Sequence, residues 1–295
     1  MSRRLPSISV HFVNAVLANA VKCGLDPLEL MRRNRLSPRL LKEPQARISL
    51  ERFADLQVTI MLAMGDESLG YAPSPQPVGS WDMMCHAVIN CQTLGQALAR
   101  FCRFYRLFAQ SLQPILEVSD GEARVCLADH EAGQNLQPYA SELMLFTCHR
   151  FASWLVGELL PLARVDFSHP ISAAPGDYRN MFMGSPVNFE QPRTALALPA
   201  AALEKPVTQN EQSLRRFLRH PVLAMLTQSY DRDSWTARVR QVLSAELANS
   251  PELVAVAEHL HVHPQTLRRR LAAEGSTFKE LKNQVRRDTA LHYLG

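Results

Sequence analysis

Gln265, Arg268 and Arg269 carry side chains able to read another molecule, and their spacing gathers them on one side of a helix. Leu267 and Leu271, four apart, fall on the other side. Burying the two leucines therefore turns the Gln/Arg face outward. A guanidinium can bind guanine O6 and N7 with two bonds, so this face has the chemistry of a helix that enters the DNA major groove.

The surrounding elements are those needed to present such a helix. Val254, Ala257 and Leu260 recur at helical spacing and predict a short helix with that face buried. Leu260-His261-Val262-His263 breaks the pattern. Pro264 suits the first turn of a new helix, where a missing N–H costs nothing. Gly275 suits its end. Two short helices with a tight turn and an outward basic face make a helix-turn-helix.

The charge agrees with this assignment. Val262–Arg287 holds seven Lys/Arg against two Glu, an excess of +5 in a chain whose total is +4. The basic excess is concentrated in one element, as a phosphate-binding footprint requires. A solvated charge run is the plainer reading of Arg268-Arg269-Arg270, but the turn before it and the leucines around it favour DNA contact. Arg270 lies nearer the leucine side, which suits a phosphate or a packing role rather than a base. His259, His261 and His263 alternate with Leu260 and Val262, which must face the core. The histidines then share the solvent side, and no metal site is assigned to them.

This stretch resembles the first helix-turn-helix of the AraC/XylS class of bacterial transcription regulators. The match runs through Ala257, Leu260, Leu267-Arg268-Arg269-Arg270-Leu271, Gly275, Phe278, Lys279, Leu281, Arg286-Arg287 and Ala290. The resemblance implies base reading by Gln265, Arg268 and Arg269, and phosphate contact by Arg270, Lys279, Arg286 and Arg287. It departs from the family at His263, where a Ser or Thr N-cap is usual, and at His261, where Gly is common. The family's DNA-binding unit joins two helix-turn-helices by a long helix. Gln284–Leu294 looks like the start of that connector and the sequence ends at Gly295, so a single reading head and weak DNA binding are expected.

Composition bounds the rest. A length of 295 residues suits two domains, and 46% hydrophobic with 20% charged residues is a globular profile. No apolar run approaches the ~20 residues of a membrane helix. The six cysteines form no CxxC pair and sit among apolar neighbours, which fits buried thiols in a reducing cytosol. The N-terminus mimics a signal peptide, with Arg3-Arg4 ahead of an apolar stretch. However, Val10, Val13, Leu17 and Val21 recur at three and four, so an amphipathic core helix is expected instead.

Further along, Asp26-Pro27 and Ser49 read as helix starts. Asp66–Gly79 reads as loop. Trp81–Asn90 and Thr93–Ala109 read as helices, the latter with Leu94, Leu98, Phe101, Tyr105 and Phe108 in one stripe. Asp120-Gly121 between two alternating segments predicts a hairpin. Pro138–Leu160 reads as a long apolar helix, and Arg164–Phe167, Val187–Phe189 and Ala195–Leu198 as short strands. The expected class is α+β: a mixed helix and antiparallel-sheet sensor domain at 1–205, a linker at 206–233, and a small all-α helix-turn-helix domain at 234–295 opened by a helix at Trp235.

The N-terminal region is similar to the arabinose-binding-like sensor domain of one AraC/XylS branch. The similarity lies in Gly24-Leu25-Asp26-Pro27, in Thr93–Leu98, in Val165-Asp166-Phe167-Ser168-His169-Pro170, and in Tyr178, Phe182 and Pro186-Val187-Asn188-Phe189. It implies response to a small molecule that need not be arabinose.

Glu142, His149 and Arg150 interrupt the apolar helix, and a buried polar group without a partner costs a few kcal/mol. These residues must pair, reach the surface or line a ligand pocket. Arg103, beside an aromatic stripe with Arg100 and Arg106, is a second candidate lining for an acidic ligand. No GxSxG, Walker loop, GxGxxG or HExxH is present, so neither catalysis nor a cofactor is expected. The function expected is a cytoplasmic, homodimeric bacterial transcription factor. Its partners would be double-stranded operator or promoter DNA and an unknown small-molecule effector, with RNA polymerase as a further partner and no membrane. The alternative is a small-molecule-binding or enzymatic domain whose C-terminal helices serve protein contacts.

Overall fold

The computed structural model describes residues 7–72, 74–108, 112–127, 137–228, 235, 238–239, 242–243, 251–273, 277–279 and 281–282. The chain divides into two units, one of Ile8–Gln228 and one containing Ser229–Gly295.

The first unit opens with a two-stranded ribbon, β1 (Ser7–Ser9) with β2 (Arg47–Ser49), and three helices, α1 (Val10–Lys22), α2 (Pro27–Arg33) and α3 (Leu50–Met64). On α1 the buried apolar residues are Val10, Phe12, Val13, Val16, Leu17 and Ala20. Val21, expected inward, is 49% exposed, because Ala20 takes the inward position at the end of the stripe. Asp26 accepts the Leu28 N–H at 2.8 Å with Pro27 in the first turn of α2, and Ser49 accepts from Arg52 at the start of α3. These helices share a core of Leu30, Met31, Phe53, Leu56 and Ile60, reached by Tyr139.

The expected loop after α3 is held by two carboxylates. Asp66 accepts the backbone N–H groups of Ser68, Gly70 and Gln76, and Glu67 accepts those of Gly79 and Trp81. Glu67 thereby fixes the start of α4 (Ser80–Val88). In α5 (Leu94–Tyr105) the buried stripe is Leu94, Ala97, Leu98, Phe101, Cys102 and Tyr105. Phe108 lies past the helix end and is only half-buried.

Asp120 and Gly121 both take positive φ, 51° and 75°, which a two-residue turn of right-handed twist demands. They join β3 (Pro114–Ser119) to β4 (Glu122–Leu127), pairing Ser119 with Glu122. With β5 (Arg164–Asp166), β6 (Val187–Asn188) and β7 (Ala195–Pro199) they form a sheet of order β3-β4-β7-β5-β6. Its pairs are antiparallel except β5 with β6, which is parallel. The sheet is thus largely antiparallel, as expected, and the parallel pair arises where a crossover through α7 (Pro175–Met181) returns the chain in the same direction.

Behind the sheet runs α6 (Pro138–Val156), ended by Gly157 at φ 77°. Leu145, Cys148, Phe151, Ala152 and Leu155 of α6 join Val125, Leu127, Val165, Phe167, Leu196 and Leu198 in the largest core. The segment read as linker from 206 is, as far as Gln228, part of this unit. There α8 (Glu211–Phe217) and α9 (Pro221–Thr227) bury Leu214, Phe217 and Met225 in the same core. Phe217 stacks on Trp154 at 4.5 Å between ring centroids. Five of the six cysteines are buried free thiols; Cys23, at the end of α1, is exposed, contrary to expectation.

The second unit has its own core of Val239, Val242, Leu243, Leu253, Val256, Ala257, Leu260, Leu267, Leu271 and Leu281. Among the described residues no helix is long and apolar enough to cross a membrane.

Candidate functional site

In the second unit α10 (Leu253–His259) and α11 (Pro264–Ala273) form the helix-turn-helix. Leu253, Val256, Ala257 and Leu260 face the core, the i, i+3, i+4, i+7 stripe of a helix beginning at Leu253. That start leaves Val254, expected inside, 55% exposed.

The turn uses both family departures. His261 takes φ 54°, the left-handed conformation that explains why glycine is common there. His263 Nδ1 accepts the backbone N–H of Gln265 at 3.3 Å, so the imidazole serves as the N-cap a Ser or Thr would supply.

On α11, Leu267 and Leu271 are fully buried while Gln265, Arg268, Arg269 and Arg270 are exposed. Arg270 leans back onto its own unit, its guanidinium carbon 4.3 Å from the Trp235 ring centroid, with Arg238 on the same indole at 4.3 Å. The cation–π contact gives Arg270 a packing role. Lys279 is exposed, whereas Lys282 is buried and paired with Glu252. Gly275, Arg286 and Arg287 lie outside the described residues.

In the first unit Glu142, His149 and Arg150 of α6 are all buried, and they do not pair with one another. Glu142 is 0% exposed. Its Oε1 accepts from the Tyr178 hydroxyl at 2.6 Å and the Ser172 hydroxyl at 2.7 Å. The backbone N–H groups of Ser172 and Ala173 donate to the Tyr178 oxygen, which leaves the Tyr178 proton for Glu142. Burial and the bond to Glu142 push the Tyr178 hydroxyl up to about 12, so it stays a donor. Tyr71 and Tyr139 are raised further, first by burial and then by neighbouring charge that includes Glu142.

His149 bridges Nε2 to the Leu160 carbonyl at 2.9 Å while Ser153 accepts the Leu160 N–H at 3.1 Å. The two side chains clamp the chain where it leaves α6. Burial holds the His149 pKa down to about 4, so the ring is neutral at pH 7. Arg150 donates to the carbonyl of Met181 at the end of α7 and to that of Gln228 after α9, both at 3.3 Å, and lies over Phe146.

Arg103 is exposed on α5. The solvated setting removes the desolvation that would make a lone guanidinium a strong anion site. Sequence reasoning did not single out Ser172, His169 or Tyr178 as a site. His169 and Tyr178 were marked only by family resemblance, through the Val165–Pro170 stretch and Tyr178 itself, and Ser172 carried no signal.

The N-terminal unit matches the family described as the arabinose-binding domain of AraC transcription regulators over residues 24–207. The ornithine utilization regulator of Pseudomonas aeruginosa is 27% identical over 288 residues, 97% of this chain and 85% of that protein. An uncharacterized HTH-type transcriptional regulator of Mycobacterium tuberculosis is 30% identical over 108 residues, 37% of this chain and 31% of that protein. The crystal structure of the transcriptional regulator CdpR from Pseudomonas aeruginosa aligns over 90% of this chain and 83% of that one, with 20% identity and a TM-score of 0.34. The family match covers more than half of the chain, which therefore belongs to the AraC transcription regulators that carry this N-terminal domain, ligand-sensing proteins that bind DNA.

Proposed function

We propose that this regulator reads operator or promoter DNA through α11, with Gln265, Arg268 and Arg269 at base edges and Lys279, Arg286 and Arg287 at phosphates. The observation that carries this reading is the exposure of Gln265, Arg268 and Arg269 on a helix whose Leu267 and Leu271 are fully buried. Arg270 is held by Trp235 and serves the fold of the reading head.

Residues 1–205, extended by α8 and α9, act as the sensor and dimerise, so that two heads meet two half-sites. The effector is small. The Pseudomonas relative is named for ornithine utilization, and ornithine is the first effector to test. The protein performs no catalysis of its own; it works in the cytoplasm on DNA, with RNA polymerase as the partner whose recruitment it controls.

The effector acts by shifting populations. Arg150 is the residue through which we expect the shift to pass, because it joins α6, the end of α7 and the Gln228 carbonyl from which the chain leaves the sensor. The test is to select a binding site from a randomised duplex library and measure affinity with and without ornithine, in the wild type and in Arg150→Lys. The variant should keep DNA affinity and lose most of the effector response. Identical affinity and transcription in both states would remove ornithine, and failure to select any sequence would remove the DNA reading.

A further inference from the structure

The Glu142 cluster holds two buried atoms whose needs match. Glu142 Oε2 has no hydrogen-bond partner among the described residues, although the residue is 0% exposed. His169 Nε2 is also without a hydrogen bond, in a side chain 8% exposed, and lies 3.7 Å from the other carboxylate oxygen. His169 Nδ1 meets the Pro170 carbonyl at 2.7 Å. A carbonyl only accepts, so Nδ1 carries a proton, and in the neutral ring Nε2 presents a lone pair. A carboxylate oxygen and an imidazole nitrogen thus lie buried in one cluster with no hydrogen-bond partner among the described residues. Buried polar groups are almost always paired, and an orphan needs an explanation. The nearby donors are already committed, since the Tyr178 hydroxyl and the Ser172 hydroxyl point at Oε1.

The surroundings are aromatic. Phe167 lies 4.9 Å from the His169 ring, and Phe189 packs 4.8 Å from Tyr178 and 6.0 Å from His169. Such rings favour a cation near their faces and disfavour an anion.

We propose that Glu142 and His169 are the effector-recognition pair of the sensor, and that they take a primary ammonium group of a small ligand. An ammonium has three N–H donors and a positive charge, so it can satisfy Oε2 and Nε2 together and neutralise the carboxylate. A hydroxyl supplies one donor and no charge, and a carboxylate supplies neither. Tyr178 carries the event onward: it bonds Glu142 from α7, whose last turn is held by Arg150. This inference rests on the sensor role proposed above and adds the chemical class of what is sensed.

The test uses the full chain with 1,4-diaminobutane, 1,4-butanediol and butyrate, read by melting temperature and by calorimetric titration. The diamine is expected to raise the melting temperature and to bind, and the other two to do neither. Glu142→Gln should lower diamine affinity by about tenfold or more, the loss of a charged hydrogen bond. His169→Ala should also weaken it. Because His169 lies on the 167–174 segment outside helix and strand, that variant keeps the test open if Glu142→Gln does not fold. Equal binding of diamine and diol, preference for butyrate, or diamine binding unchanged in both variants would overturn the assignment. DNA binding measured on the same samples separates the outcomes. If DNA binding responds to an uncharged or acidic compound instead, the sensor reading stands and the ammonium assignment falls. If the chain binds no DNA, the regulator reading fails independently of the titration.

Discussion

The Arg270 guanidinium lies 4.3 Å from the centroid of the Trp235 indole, which ties the C-terminal half of α11 to a residue ahead of the helix-turn-helix. Arg270 stands between two leucines' worth of buried surface and an exposed basic face, and the indole decides which side it serves. Arg270→Ala is therefore expected to lower the stability of the second unit by about 0.5–2 kcal/mol and to leave base preference unchanged. Thermal denaturation and a selected-site profile measure the two effects separately. A changed base preference with unchanged stability would return Arg270 to the DNA face.

His263 caps α11 through an imidazole nitrogen at 3.3 Å from the Gln265 N–H. Ser and Thr do this better, so His263→Ser should hold or raise stability, whereas His263→Ala should cost about 0.5–2 kcal/mol. If alanine and serine behave alike in denaturant titrations, the ring is not the cap.

A buried neutral histidine makes stability depend on pH. The folded pKa of His149, about 4, lies below its ordinary value of 6.5. Between those values the unfolded chain binds the proton and the folded chain does not, so stability falls as pH falls from 6.5 to 4 and levels off below. The difference amounts to roughly 3 kcal/mol from this one group. His149→Gln should flatten the slope across that window, even if its stability at pH 7 is lower. An unchanged slope would move the effect to other groups.

The parts legible in the sequence were those fixed by local chemistry. Asp120-Gly121 named its own turn, because both residues tolerate positive φ. Leu94, Leu98, Phe101 and Tyr105 named the buried face of α5. Around α11, Leu267 and Leu271 announced the exposed Gln/Arg face opposite them. What the sequence hid depends on residues far apart in the chain. The Ser172 and Tyr178 hydroxyls meet Glu142 across 30 and 36 positions, and no periodicity records that. The helices α8 and α9 are too short for their apolar spacing to say which surface Leu214, Phe217 and Met225 bury. The polar residues of α6 announced that something must satisfy them, but not that His149 would clamp Leu160 while Glu142 kept one oxygen unpaired.

The central claim is that the exposed face of α11 reads sequence in DNA. It is tested most directly by measuring affinity for a selected site and its single-base variants at two salt concentrations, for the wild type, Arg269→Ala and Lys279→Ala. The account predicts binding that weakens steeply with salt. Arg269→Ala should lose about 1–3 kcal/mol and relax preference at one base pair. Lys279→Ala should weaken binding evenly across sequences and lower the salt slope by about 1. An even loss across all sequences for Arg269→Ala, or affinity that does not respond to salt, would contradict it.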